Sequence, residues 1–168
     1  MTVLEFFLSD PMREHHQRGV ARYTKVSVGS ANRILKLLAD SDLLVKQRRG
    51  RMLFYRLNAN DPVVRQFKVL LNVYCMKPLL DVVRQHCRRI VLFGSSAQGT
   101  DVKESDIDLF ALTSEKDSVR KDIGQFNRKS DRKIAPIIVD ANEFVKLKRN
   151  DKALYENIER GITLWQAE

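Results

Sequence analysis

The sequence predicts an α+β protein in which helices and a basic β-hairpin come first and a small mixed sheet with helices follows. Three observations indicate this fold class. Apolar residues recur at helical spacing through most of residues 3–87. Within that region, two strand-like runs flank a basic turn that contains a glycine. Beyond residue 88, apolar runs of strand length alternate with charged helical segments.

A turn-rich stretch at residues 58–62, NANDP, divides the chain. We predict a first domain over residues 1–60, a helical connector over 61–87 and a second domain over 88–168. The net charge is +9, and the first domain alone carries 11 Lys and Arg against 5 Asp and Glu, a net of +6. Concentrated positive charge favours a polyanionic partner.

No apolar stretch approaches the roughly 20 residues that a membrane helix needs, and the N-terminus lacks the pattern of a signal peptide. We therefore expect a cytoplasmic protein without a membrane partner. The two cysteines, Cys75 and Cys87, form no Cys-x-x-Cys pair and are expected to be free thiols. His15 and His16 are expected on a solvated helix surface.

Two short helices are predicted at the start of the first domain. Residues 3–8, VLEFFL, form a buried helix that ends at a Ser-Asp-Pro sequence. A second helix runs over residues 12–23, with Val20 and Tyr23 as its core contacts.

A third helix follows Ser27, a good N-cap residue, and continues over residues 31–44. Its apolar residues fall at helical spacing and make one stripe: Ala31, Ile34, Leu35 and Leu38. Its polar residues then face solvent or a ligand: Ser30, Asn32, Arg33 and Lys36.

A basic hairpin comes next, with strands over residues 44–48 and 51–57 and a turn at Arg49 and Gly50. Its tip reads KQRRGR. The order of helix, turn, helix and basic hairpin resembles the winged helix-turn-helix family. In particular, DSDLLVKQRRGRMLFYRLN is similar to the end of the second helix and the wing in many small bacterial and archaeal regulators.

This resemblance implies a double-stranded DNA partner. In such a fold the second helix enters the major groove and the wing tip meets phosphates or the minor groove. Asn32 and Arg33 are then expected to contact bases, and Ser30 belongs to the same DNA-binding set. The expected phosphate contacts are Lys36, Arg48, Arg49 and Arg51. The alternative is a winged helix that docks a protein or forms a dimer.

The connector is predicted to be helical, with one apolar stripe: Val64, Phe67, Leu71 and Tyr74. Pro78 is expected to end one helix and begin another. The connector either forms an interface in a homodimer or packs on the following sheet, and the sequence leaves both alternatives open.

The second domain is predicted to be a small mixed sheet with helices against it. The predicted strands are residues 88–94, 105–113, 133–140 and 162–166. The predicted helices are residues 114–131, 141–150 and 151–161, and the first of them turns Val119, Ile123 and Phe126 inward.

Asp106 and Asp108 alternate with an apolar residue in the second of these strands, so both carboxylates are expected on one side of it. Their Cα atoms would lie roughly 6.6 Å apart. Two carboxylates this close repel unless a cation neutralises them. Oxygen ligands favour Mg²⁺ or Mn²⁺ over zinc, and both side chains can reach a pair of ions about 3.5–4 Å apart.

Gly94 and Ser95 leave the preceding strand and are predicted to open a helix. Such a turn exposes backbone N–H groups at the positive end of a helix dipole, where phosphates bind. Gly94 leaves room for close approach, and Ser95 adds a hydroxyl donor. A Gly-Ser pair alone does not identify a phosphate-binding site, and a simple turn between two strands is the alternative.

The Gly94–Ser95 pair, ten intervening residues and the run Asp106-Ile107-Asp108 together resemble the signature of nucleotidyltransferases of the DNA polymerase beta superfamily. GSSAQG and SDIDLF look like the motif of the minimal nucleotidyltransferases, and the resemblance covers residues 88 to about 165. It implies that the two aspartates hold Mg²⁺ and that Gly94 and Ser95 hold the β- and γ-phosphates. It also implies that a hydroxyl attacks the α-phosphate of a nucleoside triphosphate and that pyrophosphate leaves.

The chain departs from this family on the third strand. Members commonly carry a third carboxylate there, in a pattern like R-K-V-D-L-V, whereas RKIAPIIVD puts Ala135 at the acidic position. Asp140 comes five residues later, past the expected strand end, and Gln98 stands where members often carry a basic residue. Loss of the base for the incoming hydroxyl would cost about 10²–10⁴ in rate, whereas binding of Mg·NTP would survive.

Two functions are compatible with these patterns. The leading hypothesis is a Mg-dependent nucleotidyltransferase joined to a DNA-binding domain, which transfers a nucleotide to a partner macromolecule. The resemblance implies an antitoxin that modifies a separate helical toxin-like protein, with the winged helix regulating transcription of the pair. The alternative is a transcriptional regulator whose nucleotidyltransferase domain is a non-catalytic nucleotide sensor or scaffold.

Overall fold

A capping box starts the first helix of the protein. In the computed structural model, which describes residues 2–167, helix α1 (Val3–Ser9) follows Thr2. The Thr2 hydroxyl accepts a hydrogen bond from the Glu5 N–H, and the Glu5 carboxylate accepts one from the Thr2 N–H. The helix buries Phe7 completely, as expected for this apolar run.

The chain divides into two units, residues 1–68 and residues 69–168. The first unit combines helices with a three-stranded antiparallel sheet, and the second combines helices with a four-stranded mixed sheet. This is the mixed α+β class that the sequence predicts. The predicted domain limits at residues 60 and 87 stay predictions.

The helix expected over residues 12–23 starts later than predicted. Helix α2 spans Gln17–Thr24, and the two histidines form the short strand β1 (His15–His16). His15 is buried, with its ring centre 4.4 Å from that of Phe6, and burial lowers the pKa of its imidazole. The prediction of a solvated helix surface is wrong here, because strand pairing and aromatic packing outweigh local helical spacing.

The two core contacts predicted for α2 behave differently. Val20 is fully buried, whereas Tyr23 is 51% exposed. The Tyr23 ring stacks on Phe6 with 5.5 Å between ring centres, so it covers the core from outside.

Helix α3 (Val28–Asp40) begins after Ser27, whose hydroxyl accepts a hydrogen bond from the Ser30 N–H at 3.1 Å. The predicted N-cap is therefore confirmed. The helix ends before the predicted limit at residue 44, and Asp42 just beyond it has a left-handed backbone with a φ of 58°. The predicted apolar stripe packs inward, fully for Ala31 and Leu35 and partly for Ile34 and Leu38.

Strands β2 (Leu44–Arg49) and β3 (Met52–Leu57) form the predicted hairpin, in which Arg49 pairs with Met52 at the tip. Gly50 has a φ of +60° in the turn, a conformation that favours glycine. Strand β1 pairs with the other edge of β3, so the sheet order is β1–β3–β2.

Helix α4 (Pro62–Val83) continues through Pro78, so the predicted break at this proline is wrong. The Asp61 carboxylate caps its start by accepting hydrogen bonds from two backbone N–H groups at 2.8 and 3.1 Å. Pro78 removes the hydrogen bond to the carbonyl of Tyr74. Both residues are exposed, so water can satisfy that carbonyl. Tyr74, a member of the predicted apolar stripe, is 63% exposed.

The second unit contains the predicted sheet, in the order β6–β5–β4–β7. Its strands are β4 (Arg89–Leu92), β5 (Ile107–Leu112), β6 (Ile134–Val139) and β7 (Ile162–Gln166). Its further helices are α5 (Gly94–Gln98), α6 (Lys116–Lys129), α7 (Ala141–Asn150) and α8 (Lys152–Glu159). Strands β5 and β6 are parallel and the other pairs are antiparallel.

The two faces of this sheet have separate cores. Because side chains alternate along a strand, Ile107, Leu109 and Ala111 of β5 join a cluster with α4 and α6. Phe110 joins the cluster on the other face and lies 5.3 Å from Phe144 of α7 between ring centres. Asp108 is two residues before Phe110 and therefore belongs to the face that α7 covers.

Candidate functional site

The turn from β4 into α5 has the strand–turn–helix geometry that the sequence predicts. Phe93 is still extended, Gly94 has a φ of +67°, and α5 begins at Gly94. Gly99, also at +67°, ends the helix. Ser95 lies in the first turn of α5 and is partly exposed, so its hydroxyl is accessible to a ligand.

Gly94 lies directly against the Asp108 side chain. A Cβ atom at this glycine would lie 2.2 Å from Oδ2 and 3.1 Å from Cγ of Asp108. The backbone also joins the two strands here, because the Phe93 N–H donates to the Asp108 carbonyl at 3.1 Å. The predicted glycine turn and one predicted metal ligand are therefore neighbours in space.

The surroundings of Asp108 disfavour the ionised form of its carboxyl group. Burial raises the pKa of its carboxyl, and the charge of Asp106 raises it further. Asp106 is exposed and precedes β5, so the strand predicted over residues 105–113 starts too early. A divalent cation between the two carboxylates would relieve this repulsion.

Ala135 on β6 is the register partner of Asp108 across the parallel pair of strands. Side chains of register partners project to the same face of a sheet, so a carboxylate at position 135 would lie beside Asp108. The chain has a methyl group there instead. Strand β6 is at the sheet edge, which accommodates Pro136 without breaking the strand.

Asp140 lies at the other end of β6 from Ala135, one residue after the strand ends. Its carboxylate accepts a hydrogen bond from the Glu143 N–H at 2.9 Å and forms a 2.8 Å ion pair with Lys116. The Lys116 hydrogen bond lowers the pKa of Asp140. Asp140 thus serves as the N-cap of α7 and is not placed beside Asp108.

A polar group behind the Gly94–Ser95 turn was not predicted. The Asn72 amide donates to the Ser96 carbonyl at 2.9 Å and to Asp101 Oδ1 at 3.2 Å. Arg132 joins the same group through an ion pair with Asp101. These residues lie far apart in the sequence and match no motif, so only the tertiary structure identifies them.

The predicted DNA-binding residues occupy two surfaces of the first unit. The α3 residues are exposed: Ser30, Asn32, Arg33 and Lys36. The arginines of the hairpin tip are exposed as well: Arg48, Arg49 and Arg51. Arg49 forms a 2.6 Å ion pair with Glu14 and lies over the Phe54 ring, whereas Arg48 donates to the Gly50 carbonyl at 3.1 Å.

Two features are absent from residues 2–167. Within this part of the chain, no group of three or more His, Cys, Asp or Glu side chains is placed to hold a metal ion. No helix of the described residues combines the length and apolar character needed to cross a membrane.

The chain matches a known protein family. The family described as Nucleotidyltransferase domain matches residues 76–163, which is more than half of the chain and includes both aspartates and the Gly94–Ser95 turn. Comparison with curated proteins found no match.

Several solved structures are similar to part of the chain. A mutant of the toxin–antitoxin MntA-HpeT is 20% identical over 57% of this chain and 74% of its own, with a TM-score of 0.41. A toxin–antitoxin with AMP-PNP is 24% identical over 58% and 75%, also at 0.41. A candidate nucleotidyltransferase from Sulfolobus solfataricus is 15% identical over 62% and 85%, at 0.37. These TM-scores are too low to establish a common fold.

Proposed function

The chain belongs to the nucleotidyltransferase domain family, and we propose that it binds a nucleoside triphosphate with Mg²⁺ or Mn²⁺ and transfers a nucleotide to a partner macromolecule. The contact between Gly94 and Asp108 carries this proposal. The proposed metal ligand Asp108 is adjacent to a glycine turn at a helix start, since a Cβ on Gly94 would lie 2.2 Å from the Asp108 carboxylate. Phosphates on the turn would therefore lie within reach of a cation on the carboxylate.

The two carboxylates fit a hard divalent cation. The pKa of Asp108 is raised by burial and by the Asp106 charge, so a cation would be favoured where the carboxylates repel. Two protein ligands leave coordination positions for phosphate oxygens and water, which Mg²⁺ commonly retains. When bound, the cation would withdraw negative charge from the triphosphate.

The residues of the turn would bind and orient the triphosphate. Gly94 has no side chain, so its backbone can approach the outer phosphates closely. The Ser95 hydroxyl would donate to a phosphate oxygen. Asp106 and Asp108 would hold the metal ion to which the triphosphate binds. The α-phosphate would then face the incoming hydroxyl in a fixed orientation.

The alternative function is a regulator that binds nucleotide without transferring it. The observation that favours it is Ala135, which lies in register with Asp108 and has no group that could accept the proton of an incoming hydroxyl. Asp140 is at the far end of the strand and is bonded to Lys116. If the protein transfers a nucleotide in spite of this, the acceptor itself would have to supply the base.

For the first unit we propose a winged helix that binds double-stranded DNA. Support comes from the order of α2, α3 and the hairpin, together with the exposed polar residues on α3 and the arginines at the hairpin tip. Asn32 and Arg33 would contact bases in the major groove, and Arg48 and Arg51 would contact phosphates. Coupled to a nucleotidyltransferase domain, such a unit would regulate transcription.

The acceptor and the oligomeric state belong to the same proposal. By the motif resemblance, the acceptor would be a separate helical toxin-like protein. A second copy of the chain is the other proposed partner, because α4 exposes apolar side chains: Leu70, Tyr74 and Val82 are 61%, 63% and 44% exposed. Exposed apolar surface of this kind marks interaction sites.

One experiment tests transfer and binding together. The protein is incubated with labelled nucleoside triphosphates, Mg²⁺ and cell extract, and a labelled macromolecule is expected. In parallel, Mg·ATP is expected to raise the Tm, because a ligand of the native state stabilises it by mass action. The double variant Asp106→Asn/Asp108→Asn should lose the metal-dependent part of the Tm shift. A shift without any label transferred would favour the regulator, and an equal shift in the double variant would place the nucleotide elsewhere.

A further inference from the structure

The guanidinium of Arg132 contacts four residues of the second unit. Its Nε donates to the Ser105 carbonyl at 3.2 Å, its Nη1 to Asn72 Oδ1 at 2.9 Å and its Nη2 to Ser96 Oγ at 3.1 Å. Nη1 also forms a 3.0 Å ion pair with Asp101. All three nitrogens of the guanidinium are thus bonded to protein groups.

Three of the four partners of Arg132 are buried. Ser96 has no exposed surface, and Asp101 and Asn72 are 5% and 7% exposed. A buried polar group that loses its partner costs free energy because water cannot replace the lost hydrogen bond. Each of these residues therefore depends on the others for its position, and the network is expected to be rigid.

Two of the residues that Arg132 contacts are adjacent in sequence to residues of the proposed site. Ser96 follows Ser95, which is proposed to bind phosphate, and Ser105 precedes Asp106, which is proposed to bind metal. Arg132 bonds to both neighbours at once. It therefore connects the phosphate-binding turn with the segment that brings Asp106 to the site.

We infer that Arg132 is a positioning residue for the Mg·NTP site, an inference that rests on the proposed function. It holds the Gly94–Ser95 turn and Asp106 at a fixed separation, and it acts through these groups and not on the nucleotide, because four of its five N–H donors are engaged with protein. A planar guanidinium can bond in several directions within one plane, whereas a lysine ammonium cannot reproduce this arrangement. Positive charge alone would therefore not restore the site.

The test compares Arg132→Gln and Arg132→Lys with Arg128→Gln, which removes the same charge from an exposed position of α6. The Kd of Mg·ATP is measured by calorimetry at a temperature where circular dichroism shows each variant to be folded. Arg132→Gln is expected to raise this Kd about tenfold, which corresponds to about 1.4 kcal/mol and is the size of one hydrogen bond lost from a positioned group. Arg132→Lys should restore little of the affinity, and Arg128→Gln should bind like the wild type.

A second variant tests whether Arg132 acts through the turn. Ser96→Ala removes one hydroxyl from the network and is expected to raise the Kd severalfold. Combined with Arg132→Gln it should add little, because residues of one network are not additive. Loss of stability alone would not produce this pattern in proteins that are fully folded. If Arg132→Gln does not fold, Arg132→Lys and Ser96→Ala are judged by the same criterion.

The outcomes separate this inference from the proposed function. If the wild type binds no Mg·ATP, the proposed function itself fails. If the wild type binds and the folded variants at Arg132 and Ser96 bind equally well, Arg132 has no positioning role although the site stands. If Arg132→Lys binds like the wild type while Arg132→Gln does not, charge and not geometry is what Arg132 supplies, and the inference is overturned.

Discussion

A methyl group on Gly94 would lie 2.2 Å from the carboxylate oxygen Oδ2 of Asp108, although 13 residues separate the two in the chain. Gly94 also has a φ of +67°, which side chains other than glycine rarely tolerate. Two independent constraints therefore require glycine here. One is the space between the turn and the Asp108 carboxylate, and the other is the left-handed backbone at the start of α5.

Gly94→Ala is expected to lower the free energy of unfolding by about 1–3 kcal/mol for the strained backbone alone, and the clash would displace Asp108. The matched control is Gly124→Ala in α6, where a Cβ meets no atom within 4 Å. That change should stabilise the protein by up to about 1 kcal/mol, because alanine favours helix. Urea unfolding measures both. Equal effects of the two substitutions would contradict the close approach at Gly94.

The raised pKa of Asp108 gives a pH dependence of stability. Because the folded state binds this proton more tightly than the unfolded state, the free energy of unfolding should fall as pH rises from the unfolded pKa of about 3.9 through the folded pKa. The comparison is urea unfolding of the wild type and Asp108→Asn across this range without metal. The wild type should lose stability relative to the variant as pH rises, and Mg²⁺ should restore it. If the free energies of unfolding of the wild type and of Asp108→Asn change with pH in parallel, the charge of Asp108 does not destabilise the folded protein.

Transfer activity is expected to be weak, because Ala135 provides no base beside Asp108. Ala135→Asp should raise turnover on a competent acceptor, by up to about 10²–10⁴ if the carboxylate acts as general base. Asp140→Asn is the control and should change turnover little, since asparagine is also a good N-cap. Loss of activity in Asp140→Asn alone would mean that Asp140 is the third acid. Fast turnover in the wild type, unchanged in both variants, would place the base elsewhere.

DNA binding by the first unit should depend steeply on salt. Replacing the three hairpin arginines, Arg48, Arg49 and Arg51, with alanine should flatten the salt slope by up to about 2.7 units, from about 0.9 per phosphate contact. Arg49 is expected to contribute least, because its ion pair with Glu14 must open before it can contact a phosphate. Arg33→Ala should instead reduce sequence preference.

The control for the DNA experiment is Arg128→Ala, an exposed arginine of the second unit, which should leave the salt slope unchanged. Fluorescence anisotropy at several salt concentrations measures the slope. Binding that is insensitive to salt and to the hairpin substitutions would favour the alternative of a protein-docking module.

The two thiols should react at very different rates. Cys75 is exposed and Cys87 is buried, and burial, together with the nearby Glu115 carboxylate, raises the pKa of Cys87 to about 11. At pH 8 only about one Cys87 in a thousand would then be a thiolate, which is the reactive form. A thiol reagent should label one cysteine in the native protein and two in urea. In Cys75→Ser the native protein should not react, and rapid labelling of that variant would contradict the burial of Cys87.

Much of the secondary structure of both units could be predicted because it depends on local pattern. The strand before Gly94, the helix after it and the cap at Ser27 follow from residue type and spacing, which act over a few neighbouring positions. Predictions failed where distant segments compete with the local pattern. His15 joins a strand because Tyr55 pairs with it, and α4 continues through Pro78 although the sequence predicts a break.

Residue types and their spacing identify the chemical groups of this protein: two aspartates one residue apart, a Gly-Ser turn and a basic hairpin. Which of these groups come into contact depends on the folded chain. The register of β5 and β6 places Ala135 beside Asp108, and folding brings Arg132 to Asn72, 60 residues away in the chain. Such contacts depend on packing between segments that no local spacing relates, so residue identity can specify a ligand set but not the network that holds it in place.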